Sequence, residues 1–134
     1  MAWNSQYALD GFFTFGAPLN VTRYVIDPAD NKFGQSTDTY WVARFELDEE
    51  INVIARLNAL ARGPMIYYPI VYLLRRSSAS VGPDWIMKQK FYKAWIFSQG
   101  GNFYDPRNPG VSYGAQTLGL AFHKADNQHI RPNP

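Results

Sequence analysis

Residues 117–123, Thr-Leu-Gly-Leu-Ala-Phe-His, constrain the fold more than any other stretch. Leu118, Leu120 and Phe122 fall on one side of an extended chain, and Thr117, Gly119, Ala121 and His123 on the other. A period of two sends alternate side chains to opposite faces, so this segment reads as a strand with one apolar face laid against a core. Its companion is the run at 86–97, Ile-Met-Lys-Gln-Lys-Phe-Tyr-Lys-Ala-Trp-Ile-Phe. Aromatic and β-branched residues dominate it and suit a pleated, half-buried surface. Between the two, Gly100, Gly101, Pro106, Pro109 and Gly110 interrupt any ladder, by unusual backbone angles or by lacking a donor. The spacing predicts two strands joined by a loop over 98–110.

The rest of the chain supplies strands and one helix. Gly11-Phe-Phe-Thr-Phe-Gly16 reads as a short strand between glycine breaks. With Trp3, Tyr7, Leu9, Phe12, Phe13 and Phe15, residues 1–16 are too aromatic to hang free, and they must pack on their own domain or on a neighbour. Residues 21–26 and 39–47 form a hairpin, the second strand alternating Tyr40, Val42, Arg44 and Glu46 with Trp41, Ala43, Phe45 and Leu47. Between them lies a polar loop over 27–38, carrying Asp27, Asp30, Lys32, Phe33 and Asp38. A loop of that length in a compact domain is often functional. A helix is predicted over 48–62. Asp48 caps it, Glu49 and Glu50 complement its dipole, and Val53, Ile54, Leu57, Leu60 and Ala61 recur as an apolar stripe. Gly63 is placed to end the helix in a left-handed conformation, and Pro64 forbids its continuation. Residues 65–74 read as an apolar strand in which Pro69 demands an edge, a bulge or a start at Ile70. A Ser/Gly/Pro loop follows at 77–84, and the tail, 124–134, reads as polar and frayed. The order gives a mainly β domain spanning 1–134, an antiparallel sandwich or barrel with one flanking helix and a long hairpin loop. Residues 1–16 and 124–134 are candidate assembly arms.

Composition narrows the partners. Aromatics make up 16% of the chain and charged residues only 18%, a balance that fits a β-rich core, a large interface, or both. A net charge of +2 gives no case for general nucleic-acid binding. With no cysteine, disulfides, thiol nucleophiles and cysteine metal sites are excluded. No apolar run approaches the roughly 18 residues of a membrane span. Met-Ala-Trp-Asn-Ser-Gln lacks the basic and apolar regions of a secretory signal. The expectation is a protein made in a cytoplasm, with no membrane insertion.

No group of residues converges on chemistry. His123 and His129 lack a nearby third ligand and read as surface histidines. Glu46, Asp48, Glu49 and Glu50 form an acidic cluster, which helix-start capping explains for three of the four. Asp27-Pro-Ala-Asp-Asn is faintly like a calcium loop but lacks its glycine and terminal glutamate. Arg75, Arg76, Lys88, Lys90 and Lys93 beside Tyr92 and Trp95 would suit single-stranded nucleic acid, although a solvated strand face explains them as well. Ser77, Ser78 and Ser80 have no His/Asp arrangement beside them. The residues therefore give no catalytic, metal or cofactor site, and the chain is read as a non-enzyme. What remains is interface physics: an aromatic N-terminus, a long arm and few charges are liabilities that docking on an identical neighbour would hide.

The C-terminal third resembles a known family. Lys90-Phe-Tyr-Lys-Ala-Trp-Ile-Phe, a loop, then Val111-Ser-Tyr-Gly-Ala-Gln-Thr-Leu-Gly-Leu-Ala-Phe is similar to the end of tail tube proteins of contractile-tailed bacteriophages. Ala94-Trp95-Ile96 and the Thr-Leu-x-Leu strand closing on Phe122 carry the likeness. It implies a β-sandwich or barrel with one helix and a long hairpin loop, assembled as stacked, hexameric rings around a channel that passes DNA without binding it specifically. It also implies sheath, baseplate and terminator proteins as partners and the virion tail as location. On this reading, Trp3, Phe12, Asp27, Asp30, Lys32, Phe33 and Asp38 form the assembly interface. Glu46, Asp48, Glu49 and Glu50 face a lumen or a neighbouring subunit. A channel for DNA would carry few exposed cations on its wall.

Two alternatives keep the same architecture: a tail terminator or a baseplate tube-initiator, each forming one ring. From another class comes a β-sandwich binding module that stacks a sugar or base on exposed aromatics such as Trp3, Trp41 or Trp85. A small barrel enzyme ranks last, because no acid/base pair stands out.

Overall fold

Six strands and one helix follow the anticipated order: β1 (Tyr7–Asp10), β2 (Leu19–Asp30), β3 (Ser36–Leu47), α1 (Ile51–Arg62), β4 (Tyr68–Arg76), β5 (Trp85–Gln99) and β6 (Gln116–His123). The structure, a computed structural model, describes residues 7–11, 18–30, 36–76, 85–100 and 116–130. Two antiparallel meanders, β1-β2-β3 and β4-β5-β6, are joined by α1 and close on each other through β3–β6 and β1–β4 pairing. The result is a closed antiparallel barrel, which settles the choice between sandwich and barrel. Gly11 ends β1 with φ +149°, where a side chain would sit 3.1 Å from the Ile70 carbonyl and the Val71 Cα, so only glycine fits that close approach to β4.

The interior is packed with side chains. Leu118, Leu120 and Phe122 face inward as their alternation predicts, joining Phe45, Phe91, Leu73 and Val71 in one core. Phe91 packs edge-on to Phe45 at 6.1 Å between ring centroids and against Phe122 at 5.2 Å. The other face of β6 departs from expectation. Ala121 is as buried as Leu120, because Val42, Ala121, Tyr40 and Trp95 pack together in a second apolar cluster on the barrel exterior. The alternation on β5 is also reset. Phe91 and Ala94 both lie in the core although three positions apart, and Lys93 between them takes φ 55°, a left-handed residue that shifts the phase of the strand.

Several boundaries differ from the sequence reading. The hairpin loop expected over 27–38 is mostly strand. Asp27 pairs with Val42, Pro28 with Trp41 and Asp30 with Ser36, leaving 31–35 outside the described residues. Pro28 is accommodated because the register shifts immediately after it, where a missing donor breaks no regular ladder. A strand not anticipated runs over Tyr7–Asp10, and 12–16, where a short strand is expected, lie outside the described residues. The helix begins at Ile51, not Asp48. The Asp48 N–H is committed to the Asn20 carbonyl at 3.0 Å, which prolongs the β2–β3 ladder, and the Asn20 N–H donates to Glu49 Oε2 at 2.7 Å. Glu50 holds the N-cap position without a side-chain cap bond. Val53 and Leu57 are buried, Ile54 and Leu60 pack on the core, and Ala61 is exposed, so the stripe is narrower than predicted. Gly63 is extended at φ −80°, not left-handed, because a residue before proline is pushed out of helical backbone angles. Pro69 lies within β4 beyond the end of β1, where among the described residues only β5 pairs with the strand.

The tail is the largest correction. Residues 124–130 do not fray: Ile130 enters the core and Asn127 is wholly buried. Its side-chain amide accepts from the Tyr92 N–H at 2.7 Å and donates to the Tyr92 carbonyl at 3.0 Å and the His123 carbonyl at 2.9 Å. A primary amide has the donor and acceptor geometry of a peptide unit, so Asn127 stands in for a strand residue where β6 has run out and β5 continues. The helix covers the barrel end near Gln99 and Gln116, and this turn covers the other.

Candidate functional site: an exterior aromatic surface

The features that give a solid barrel also place rings outside it. Tyr40 leaves β3 on the outward phase shared with Val42, opposite His123 on β6. Trp95 follows the left-handed Lys93 and lies outward, opposite Ala121. Phe97 sits at the next register shift, between Ile96 and Ser98, and Tyr67 stands just before β4. Trp95 is the hub. Its ring lies 4.9 Å from His123, 5.5 Å from Tyr67 and 5.8 Å from Tyr40, and Tyr40 in turn lies 6.1 Å from Phe97. Tyr67 and Phe97 remain 49% and 42% exposed, so the cluster is open at its rim, and Met65 and Ile66 beside it are exposed as well. Large exposed apolar patches on soluble proteins mark interaction sites.

Beneath this surface, Gly119 is the close contact. A Cβ there would meet Ser98 Oγ at 2.7 Å and Val42 Cγ1 at 3.4 Å. Gly119→Ala is expected to lower stability by about 1 kcal/mol, as overpacking does. In the double variant with Ser98→Ala most of that cost should vanish, since the hydroxyl is the clashing atom. Chemical denaturation of the four members of the cycle checks this, and additive effects would refute it.

The acidic cluster does not converge. Glu46 pairs with Arg23 at 3.3 Å across β2–β3 and accepts from the Thr22 hydroxyl. Glu49 holds the Asn20 N–H, while Asp48 and Glu50 are exposed. An open cleft of about 250 Å³ lies beside Glu49, Glu50, Asn52 and residues 18–20. Among the described residues no three His, Asp or Glu side chains are grouped to hold a metal. Likewise, no helix there is long and apolar enough to cross a membrane. Partial burial pushes the pKa of the Tyr68 phenol above its ordinary value.

The residues anticipated as interface fare unevenly. Trp3, Phe12, Lys32 and Phe33 lie outside the described residues. Asp27 and Asp30 belong to β2 and Asp38 to β3, as paired strand rather than loop. Of the tryptophans proposed for stacking, Trp41 is drawn into the barrel, edge-on to Phe122 at 6.3 Å, with Lys124 Nζ 5.3 Å from its ring. Among the described tryptophan side chains, the one that lies outside is Trp95, which the sequence brings forward only within a basic patch and a strand motif. Of that patch, Lys93 reaches Asp126 at 4.0 Å in an exposed pair of little energetic weight. His129 Nε2 lies 3.0 Å from the Lys90 carbonyl, and its ring packs on Tyr92. A strand period marks Trp95 and Phe97 as same-face residues. That this face is the outer one follows only from the phase shift at Lys93. Among known proteins, no family model matches this chain, and neither does any curated protein or solved structure.

Proposed function

We propose that this protein is a structural subunit that assembles with copies of itself into stacked rings, as the inner tail tube of a phage does, with DNA passing through the shared channel. The observation that carries this reading is the open aromatic surface around Trp95 on a closed, filled barrel. A filled barrel works through its outside, and a channel would lie between subunits, not through one. The likeness of β5 and β6 to tube proteins, and the single helix set against the barrel, support the same reading. Sheath, baseplate and terminator proteins would be its partners and the virion tail its location. Of the acidic cluster, Asp48 and Glu50 are the exposed members available to a lumen or a neighbour.

Negative-stain microscopy with light scattering tests the proposal. Tubes or stacked rings with a central hole are expected. Single rings that never lengthen would move the assignment to a terminator or baseplate initiator of the same architecture. A monomer at every concentration would overturn assembly and favour the second reading, a binding module in which Trp95 and its open neighbours stack on a sugar or base.

A further inference from the structure

The surface around Trp95 is not the only apolar feature left in solvent. Ile86 and Met87, near the start of β5, are 48% and 50% exposed. The register shift between Leu73 and Leu74 disturbs the alternation there, so that Ile86, Met87 and Lys88 are all exposed in succession. Phe97 lies near the other end of the same strand. At about 3.3 Å per residue the two patches are roughly 30 Å apart, on opposite halves of the subunit. The patches also differ in chemistry. One is a set of aromatic faces, rich in π-electron density. The other offers an aliphatic side chain, a thioether and an ammonium, and the last two are groups that favour aromatic rings.

We infer that the two ends of β5 are the two halves of one head-to-tail contact, in which Ile86, Met87 and Lys88 of one copy seat on the Trp95 cluster of the next. This rests on the self-assembly reading and adds its polarity and residues. Two unlike, separated patches on one chain cannot both be satisfied by a two-fold dimer through either patch alone. A heterologous contact satisfies both on every subunit, and it closes into a ring when the rotation between copies divides a full turn.

Two charge substitutions on exposed side chains test it, Met87→Asp at one end and Phe97→Asp at the other. Thermal melts and circular dichroism establish that each variant folds. Alone, each is expected to be monomeric by sedimentation velocity at concentrations where the wild type assembles. Mixed, they should form a one-to-one heterodimer, because each retains the half that the other lacks. If the wild type assembles and either variant does so equally well, this contact is wrong while self-assembly stands. If both variants are monomeric but their mixture stays monomeric, the patches do not face each other. A wild type that remains monomeric overturns both readings.

Discussion

Asn127→Ala should lower the stability of the barrel by about 3 kcal/mol, the sum of an unpaired buried donor and acceptor on Tyr92 and a lost bond to His123. That is a large share of the roughly 5–15 kcal/mol that holds a domain of this kind together. Asn127→Asp sharpens the test because it keeps the shape. An ionised carboxylate would face two carbonyl oxygens and could donate to neither. Only the protonated acid can donate, so the folded-state pKa of the new group is raised above its unfolded value near 3.9. Its stability is then greatest below that value and falls as pH rises toward the folded pKa. Urea melts of the aspartate variant should therefore show a lower midpoint at pH 7 than at pH 4, relative to wild type at the same pH. A loss of under about 0.5 kcal/mol for the alanine variant would mean that water replaces the amide at no cost, and the peptide-mimic role would be wrong.

Phe91→Ala is expected to cost more, about 4 kcal/mol, from lost transfer energy and the cavity left between Phe45 and Phe122. Phe91 is fully buried and touches both rings, and the strands around it are tied to each other, so the site cannot collapse to fill the space. Phe91→Leu keeps most of the volume and should cost under about 1.5 kcal/mol. Equal losses for the two variants would show that ring-on-ring contact, rather than cavity volume, sets the energy of the centre.

The parts of this fold that were legible are those written in a period. Alternation at 117–123 correctly sends Leu118, Leu120 and Phe122 inward, and helical spacing correctly buries Val53 and Leu57. What was not legible depends on partners distant in sequence. Asp48 looks like a cap because its neighbours are helical, yet its N–H is taken by Asn20 on β2. Residues 27–30 look like a loop because proline and aspartate are turn residues, yet β3 holds that segment in the sheet. Asn127 sits in a polar tail, and nothing local distinguishes it from Asn133. Only the unpaired peptide of Tyr92 gives it work. The exterior surface was half legible: the aromatic excess announces an interface, but Trp41, offered as an exposed stacking ring, packs on the core instead. Lys93, an ordinary lysine to any pattern, turns Trp95 outward by taking a backbone conformation few non-glycine residues adopt.

The position of β6 between β3 and β5 has a consequence for how the chain is made. While the nascent polypeptide emerges, β3 waits through the synthesis of α1, β4 and β5 before its second neighbour exists. Until then both meanders carry a bare edge, and each edge can recruit the other or a stranger. Barrel closure therefore waits for β6, and the amide of Asn127, which follows β6 in the chain, joins β5 later still. A message cut short before β6 would yield not a smaller barrel but one open sheet, β3-β2-β1-β4-β5, with bare edges on β3 and β5, so the cell that makes this protein has good reason to finish it quickly or destroy the fragment.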